Sequence, residues 1–172
     1  MREGQSGVEL SFRTPELVSR KGITFASDLA WSKATAGAGN EVRRDKNYAG
    51  RTISIDGKRY PKGLWTHSFN DQTPADIVYD IAGKNFAVFK AQAGLDDLGE
   101  GGSVQFQVLV DGQVKAESPI LRAHKTHSLA VDVTGASQIT LRVLNGGDGN
   151  TCDHAAWGLA RFVETGAKDP LE

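Results

Sequence analysis

Apolar and polar residues alternate with a period of two along most of this chain. Val104, Phe106, Val108 and Val110 fall on one face and Gln105 and Gln107 on the other, and Asp111-Gly112 then turns the chain before Val114 resumes. That run predicts a β-hairpin. Leu129, Val131 and Val133 alternate with Ala130 and Asp132, and Ile139, Leu141 and Val143 alternate with Gln138, Thr140 and Arg142. The turn residues Thr134-Gly135-Ala136 between them predict a second antiparallel pair. Ile77, Tyr79 and Ile81 make another strand, and Gly83-Lys84-Asn85 turns the chain into Phe86 to Ala93, where Phe89, Ala91 and Ala93 share a face. Ile53 and Ile55 lead through Asp56-Gly57 back to Tyr60, and Trp157 to Val163 is a last, short apolar run.

Nothing in the pattern supports a helix of more than two or three turns; Thr14-Pro15-Glu16-Leu17 reads as a capped turn of helix at most. Many short strands separated by Gly, Asn and Asp predict an all-β fold, an antiparallel β-sandwich. The division expected is a lead-in over residues 1–22, linking to a larger protein, one domain over 23–164 and a tail over 165–172.

Composition narrows the function. The 172 residues carry 20 Lys and Arg against 21 Asp and Glu, a net charge of -1, so no broad basic field draws nucleic acid. The single Cys152 closes no intrachain disulfide and completes no cysteine zinc cluster. No apolar run is long enough to insert in a membrane, and Arg2, Glu3 and Gln5 stand where a signal peptide needs an apolar stretch. The domain is expected to be a monomer.

Three loops concentrate unusual chemistry. Lys62 to Ser68 contains Trp65 and His67, Gly94 to Gly102 places Asp96, Asp97 and Glu100 on glycine-rich chain, and Asn145 to His154 contains Asp148, Asn150, Cys152 and Asp153. A flat aromatic ring against the C–H face of a sugar, with planar polar groups for its hydroxyls, is the chemistry of carbohydrate recognition. Trp65, His67, Asn145, Asp153 and His154 are the candidates for it. Against this stands the ordinary use of Trp, here Trp31, Trp65 and Trp157, as core, and of His as a structural hydrogen-bonding group. Asp96, Asp97 and Asp148 are candidate calcium ligands, as oxygen donors on flexible glycine-rich turns, although the spacing of an EF-hand is absent. His67, His154 and Asp153 lack the spacing that holds two histidines on one zinc ion, and His124 and His127 read as exposed loop residues.

Catalytic arrangements are missing. Asp96 and Asp97 are neighbours whose side chains diverge, so they do not face each other across a scissile glycosidic bond. There is no GxSxG elbow, and Gly99-Glu100-Gly101-Gly102 lacks the Lys-Ser/Thr of a phosphate loop.

Taken in order, Ser27-Asp28-Leu29-Ala30-Trp31, Arg44-Asp45, Tyr60-Pro61-Lys62-Gly63-Leu64-Trp65-Thr66-His67-Ser68, Val78-Tyr79-Asp80-Ile81, Phe89-Lys90-Ala91 with Gly94, Gly102-Ser103-Val104-Gln105-Phe106, Val110-Asp111-Gly112 and Asp153-His154-Ala155-Ala156-Trp157 resemble the NPCBM/NEW2 domain, which is related to carbohydrate-binding module family 51. The resemblance runs from about Ile23 to Val163. It implies a galactose-binding-like jelly roll that binds galactose-type sugars, attached to glycoside hydrolases or other secreted and surface bacterial proteins, with calcium in many members. The chain departs from the pattern at Ala38, where the family often has Trp, at Trp65, where it has Gly, and at Ala156 and Leu159, where Asp is common. A lost aromatic and a gained one imply a displaced sugar platform. The expected function is a non-catalytic carbohydrate-binding module within a larger glycan-acting protein. The alternative is a structural or protein-interaction β-sandwich that has lost sugar binding, with a hydrolase using Asp96, Asp97 or Asp153 as the third reading.

Overall fold

Period-two alternation places one side of each strand in a common interior, and the computed structural model, which describes residues 21–172, closes two antiparallel sheets over that interior. The strands are β1 (Ile23–Phe25), β2 (Lys33–Ala34), β3 (Arg43–Arg44), β4 (Ile53–Ile55), β5 (Lys58–Tyr60), β6 (Gly63–His67), β7 (Ala75–Asp80), β8 (Phe86–Leu95), β9 (Ser103–Val110), β10 (Gln113–Glu117), β11 (Leu121–Arg122), β12 (Thr126–Asp132), β13 (Gln138–Asn145) and β14 (His154–Glu164). One sheet runs β12-β8-β14-β6-β3 with β1 also on β14, and the other runs β10-β9-β13-β7-β2 with β11 also on β9. Helix among the described residues is confined to two 3-10 turns, Ala26–Asp28 and Asp97–Gly99. The Thr14 turn lies outside the described residues.

The Asp111-Gly112 hairpin forms as the pattern predicts, and so does the Asp56-Gly57 hairpin of β4 and β5. The second predicted pair does not. β12 pairs with β8, Leu129 opposite Ala91 and Val131 opposite Phe89, whereas β13 lies in the other sheet between β7 and β9. Both strands turn their apolar residues to the same core from opposite sides, so the chain at Thr134-Gly135-Ala136 crosses between sheets. Alternation alone does not distinguish that crossing from a hairpin. His127, expected in a loop, sits half-buried on β12.

Between the sheets, Trp157 packs edge-on against Phe106, with ring centroids 4.9 Å apart, and against Phe89 at 6.4 Å. Such pairs add about 0.5–1.5 kcal/mol each beyond area burial. A second, smaller core lies on the outer face of the first sheet. There Phe25, Ile53, Ile55, Tyr60, Trp65, Ala156 and Leu159 cluster under the β4–β5 hairpin. Its presence explains why β14 reads as a continuous apolar run: the strand is buried on both faces. Gly158 is required there, because a Cβ would stand 2.7 Å from the Tyr60 ring.

Residues 165–172 fold back onto this sheet. The Arg161 guanidinium, 7% exposed, donates to Asp169, 3% exposed, at 2.6 Å, and Lys90 pairs with both Asp169 and Glu172. Leu171 packs on the smaller core.

Candidate functional site

β6 and β14 run antiparallel with His154 opposite His67 and Ala156 opposite Trp65, and β3 sets Arg43 beside Trp65. Alternation then puts Trp65, His67, His154 and Ala156 on the outward face, where the small Ala156 leaves width for the indole. The His67 and His154 rings are 5.4 Å apart, edge to face, and Trp65 lies 6.2 Å from His67 and 5.5 Å from His154.

Tyr48 covers this group, 5.8 Å from Trp65 and 5.6 Å from His154, with the Arg43 guanidinium 5.6 Å from its ring. It is 53% exposed, whereas Trp65 is fully buried. The platform expected of Trp65 is therefore not open to a ligand, and the accessible aromatic face belongs to Tyr48. Asn47 fixes it there. The Asn47 Oδ1 accepts from the N–H groups of Ala49 and Arg51, and its Nδ2 donates to the Asp96 carboxylate. Beside Tyr48 a polar groove of about 450 Å³ is lined by Asn40, Glu41, Val42 and Arg43.

The structure brings Trp65, His67 and His154 together and gives Asn145 and Asp153 different work. Asn145 Nδ2 donates to the carbonyls of Phe69, Asn70 and Asp71, and its Oδ1 accepts from Gln72 Nε2 and the Gly147 N–H. Asp153 is fully buried and accepts from Ser68 Oγ at 2.5 Å and from the Ser103 N–H at 2.8 Å. Both side chains are engaged in fastening loops.

His67 Nδ1 lies 2.9 Å from the Ser68 carbonyl, which can only accept, so that nitrogen carries a proton. Burial lowers the His154 pKa, with His67 adding to the effect, which keeps the ring neutral at pH 7. His154 Nδ1 and Trp65 Nε1 have no hydrogen-bond partner among the described residues. Burial raises the Asp153 pKa, opposed by the Ser68 bond.

The three calcium candidates do not fit a common shell. Asp96 accepts from Leu98 N, Ser54 N and Asn47, and Asp97 from Ser54 Oγ, Asp56 N and Gly57 N. Asp148 accepts from Ser103 Oγ and pairs with Arg122 at 3.6 Å. Among the described residues no three His, Cys, Asp or Glu side chains are grouped where they could hold one metal ion. The glycines of the acidic turn have a packing reason: a Cβ on Gly102 would stand 2.2 Å from the Cys152 carbonyl oxygen.

Tyr48, Arg43, Asn40 and Glu41 escape the sequence reading. Their one signal is Asn47-Tyr48-Ala49-Gly50, a large aromatic at the tip of a turn, where burial is not available to it.

A family model described as the NPCBM/NEW2 domain matches residues 22–163. Alpha-1,3-galactosidase B of Akkermansia muciniphila is 30% identical over 148 residues, 83% of this chain and 17% of that protein, so the chain spans about a sixth of this relative. The solved structures that share the fold include two family 51 modules of Clostridium perfringens. The second family 51 module of Clostridium perfringens ZmpB, in a structure with its INT domains and GlcNAc, is 35% identical with a TM-score of 0.73, over 83% of this chain and 31% of that one. The family 51 module of Clostridium perfringens GH95, in complex with methyl-galactose, is 27% identical with a TM-score of 0.74, over 82% of this chain and 99% of that one.

Proposed function

The chain belongs to the NPCBM/NEW2 family of carbohydrate-binding modules, and from that premise we propose that it binds galactose-type sugars, without catalysis, as part of a larger glycan-acting protein. One observation carries the reading: a half-exposed aromatic, Tyr48, is held on the buried ring of Trp65 and the half-buried ring of His154 beside a polar groove. Sugar recognition needs a rigid apolar face next to convergent polar groups. Tyr48 supplies the face, Arg43 and Glu41 the polar groups, and His67 and His154 the support beneath. Methyl-galactose in the GH95 module and GlcNAc in the ZmpB module identify the class to test first.

A shallow site of this kind supports Kd values from micromolar to millimolar, about -8 to -4 kcal/mol, so attachment to a multivalent parent strengthens it. Titration calorimetry with galactose, N-acetylgalactosamine, fucose and GlcNAc tests the proposal. Selective, saturable binding that falls at least tenfold in Tyr48→Ala supports it, and no binding to any of the four sinks it.

The second reading, a sandwich that serves protein contact, draws on the engagement of Asn145 and Asp153 in loop fastening and on the burial of Trp65. An empty glycan array together with capture of one defined protein would favour it.

A further inference from the structure

From Lys46 to Arg51 every residue but Asn47 is exposed, and Tyr48 is carried on this turn. The turn is closed on itself. The Asn47 N–H donates to the Arg51 carbonyl at 2.8 Å and the Gly50 N–H to the Asn47 carbonyl at 2.9 Å, while Asn47 Oδ1 accepts the N–H groups of Ala49 and Arg51, both at 3.0 Å. Those bonds give the turn its shape but not its place on the sheet. Its place comes from Asn47 Nδ2, which donates to a carboxylate 49 positions away, at 3.3 Å to Asp96 Oδ1 and 3.4 Å to Oδ2.

Asp96 is itself held on every side. It is 1% exposed, and its two oxygens also accept the N–H groups of Leu98 and Ser54, each at 3.0 Å. Its own N–H donates to the carbonyl of His154 at 2.7 Å. One residue thus holds both parts of the Tyr48 seat: its side chain grips the turn that carries the ring, and its main chain grips the strand that carries His154. Three N–H donors face the carboxylate, so an amide in its place would set an NH2 group against at least one of them. The neighbouring Asp97 does different work, since its bonds go to Ser54 Oγ and to the N–H groups of Asp56 and Gly57 in the β4–β5 hairpin.

We infer that Asp96 is a positioning residue of the sugar site, which acts through Asn47 to fix the Tyr48 ring before a sugar arrives. A ring fixed beforehand loses little freedom when a sugar stacks on it, whereas a ring on a loosened turn must be ordered by the binding itself. The inference rests on the sugar-binding reading above and adds to that site a residue that is buried away from any ligand.

The chain has three tyrosines, of which Tyr60 and Tyr79 are buried and Tyr48 is exposed, so 3-fluorotyrosine labelling reports on Tyr48 separately. Its fluorine resonance is identified with Tyr48→Phe. In Asp96→Asn and in Asn47→Ala it should move toward that of free fluorotyrosine, while the resonance of Tyr79, in the main core, keeps its position. Calorimetry with galactose, N-acetylgalactosamine, fucose and GlcNAc should show the best-bound sugar weakened roughly three- to tenfold in each variant, the cost of ordering one side chain on binding. The double variant should lose no more affinity than either single one, because both substitutions open the same link. Asp97→Asn, the control, should lower the melting temperature and leave the Tyr48 resonance and the affinity as they are. A Tyr48 resonance that stays in place in both variants overturns the inference, and so does an affinity loss in Asp96→Asn that Asp97→Asn matches. If Asp96→Asn also loses the Tyr79 resonance, and with it the fold, Asn47→Ala decides by the same criteria. Absence of binding by all four sugars in the unmodified protein overturns the sugar reading itself, and the fluorine spectra then decide whether Asp96 holds the ring.

Discussion

Ser68 Oγ donates to Asp153 Oδ2 at 2.5 Å across 85 positions of sequence, and this bond fastens the end of β6 to the start of β14. The other Asp153 oxygen takes the N–H of Ser103 at the start of β9. One buried carboxylate therefore ties together three strands from both sheets, directly beside His67 and His154. Replacing it with Ala strands two buried donors at about 1–3 kcal/mol each. We expect Asp153→Ala to lose about 2–5 kcal/mol in urea unfolding, with sugar affinity falling because the His67–His154 pair shifts.

The pH dependence of the two buried carboxylates should have opposite signs. Burial raises the Asp153 pKa in the folded state, so its contribution favours folding below the unfolded carboxylate pKa and is lost as pH rises through the folded value. For Asp169, burial pushes the pKa up, but the hydrogen bonds and charge of Arg161 outweigh it and the net direction is down. Its contribution is present above the unfolded pKa and lost as pH falls through the folded one. Asp153→Asn should steepen the loss of stability on acidification, and Asp169→Asn should flatten it. Parallel urea titrations from pH 3 to 7 check both.

Asp169 partners an Arg161 that is almost without exposure, so Asp169→Ala leaves a buried guanidinium with less compensation. The expected loss is about 3–5 kcal/mol, read as a lower urea midpoint, and removal of residues 165–172 should cost at least as much. An unchanged midpoint would show that the tail does not hold this position in solution.

Trp65 and Tyr48 should separate stability from binding. Trp65→Ala empties a fully buried site and should cost about 3–5 kcal/mol. Tyr48→Ala removes an exposed ring and should cost under about 1 kcal/mol while removing most sugar affinity. Melting curves and calorimetry on the two variants decide it. A stable Trp65→Ala protein that loses only binding would make Trp65 itself the contact residue.

Calcium is tested by thermal melts with Ca²⁺ and with a chelator. Because Asp96 and Asp97 are taken up by protein donors, the melting temperature should be the same in both. A rise with Ca²⁺ that disappears in Asp148→Asn would assign a cation to the Asp148 loop.

Local chemistry determined much of this protein before any folding was considered. Val104 to Val110 with Asp111-Gly112, and Ile53 to Tyr60 around Asp56-Gly57, predict their hairpins because a two-residue turn with positive φ at both positions fixes its own register. The ordered motifs from Ser27 to Trp157 likewise carry the family. Sheet membership was a tertiary matter: β12 and β13 show the same alternation whether they pair with each other or face each other across the core. The candidate site divides in the same way. Residue type marked Trp65, His67 and His154 as neighbours in chemistry, but exposure is a property of the packed molecule, and packing buried Trp65, engaged Asn145 and Asp153 in loop bonds and raised Tyr48 over them. Tyr48 meets Trp65 only because β3 lies beside β6, with Arg43 next to both rings, and the chain at Gly37 crosses so close to Ser68 that it leaves no room for a Cβ. Such contacts between residues distant in sequence arise from the closing of the two sheets, and no local pattern encodes them.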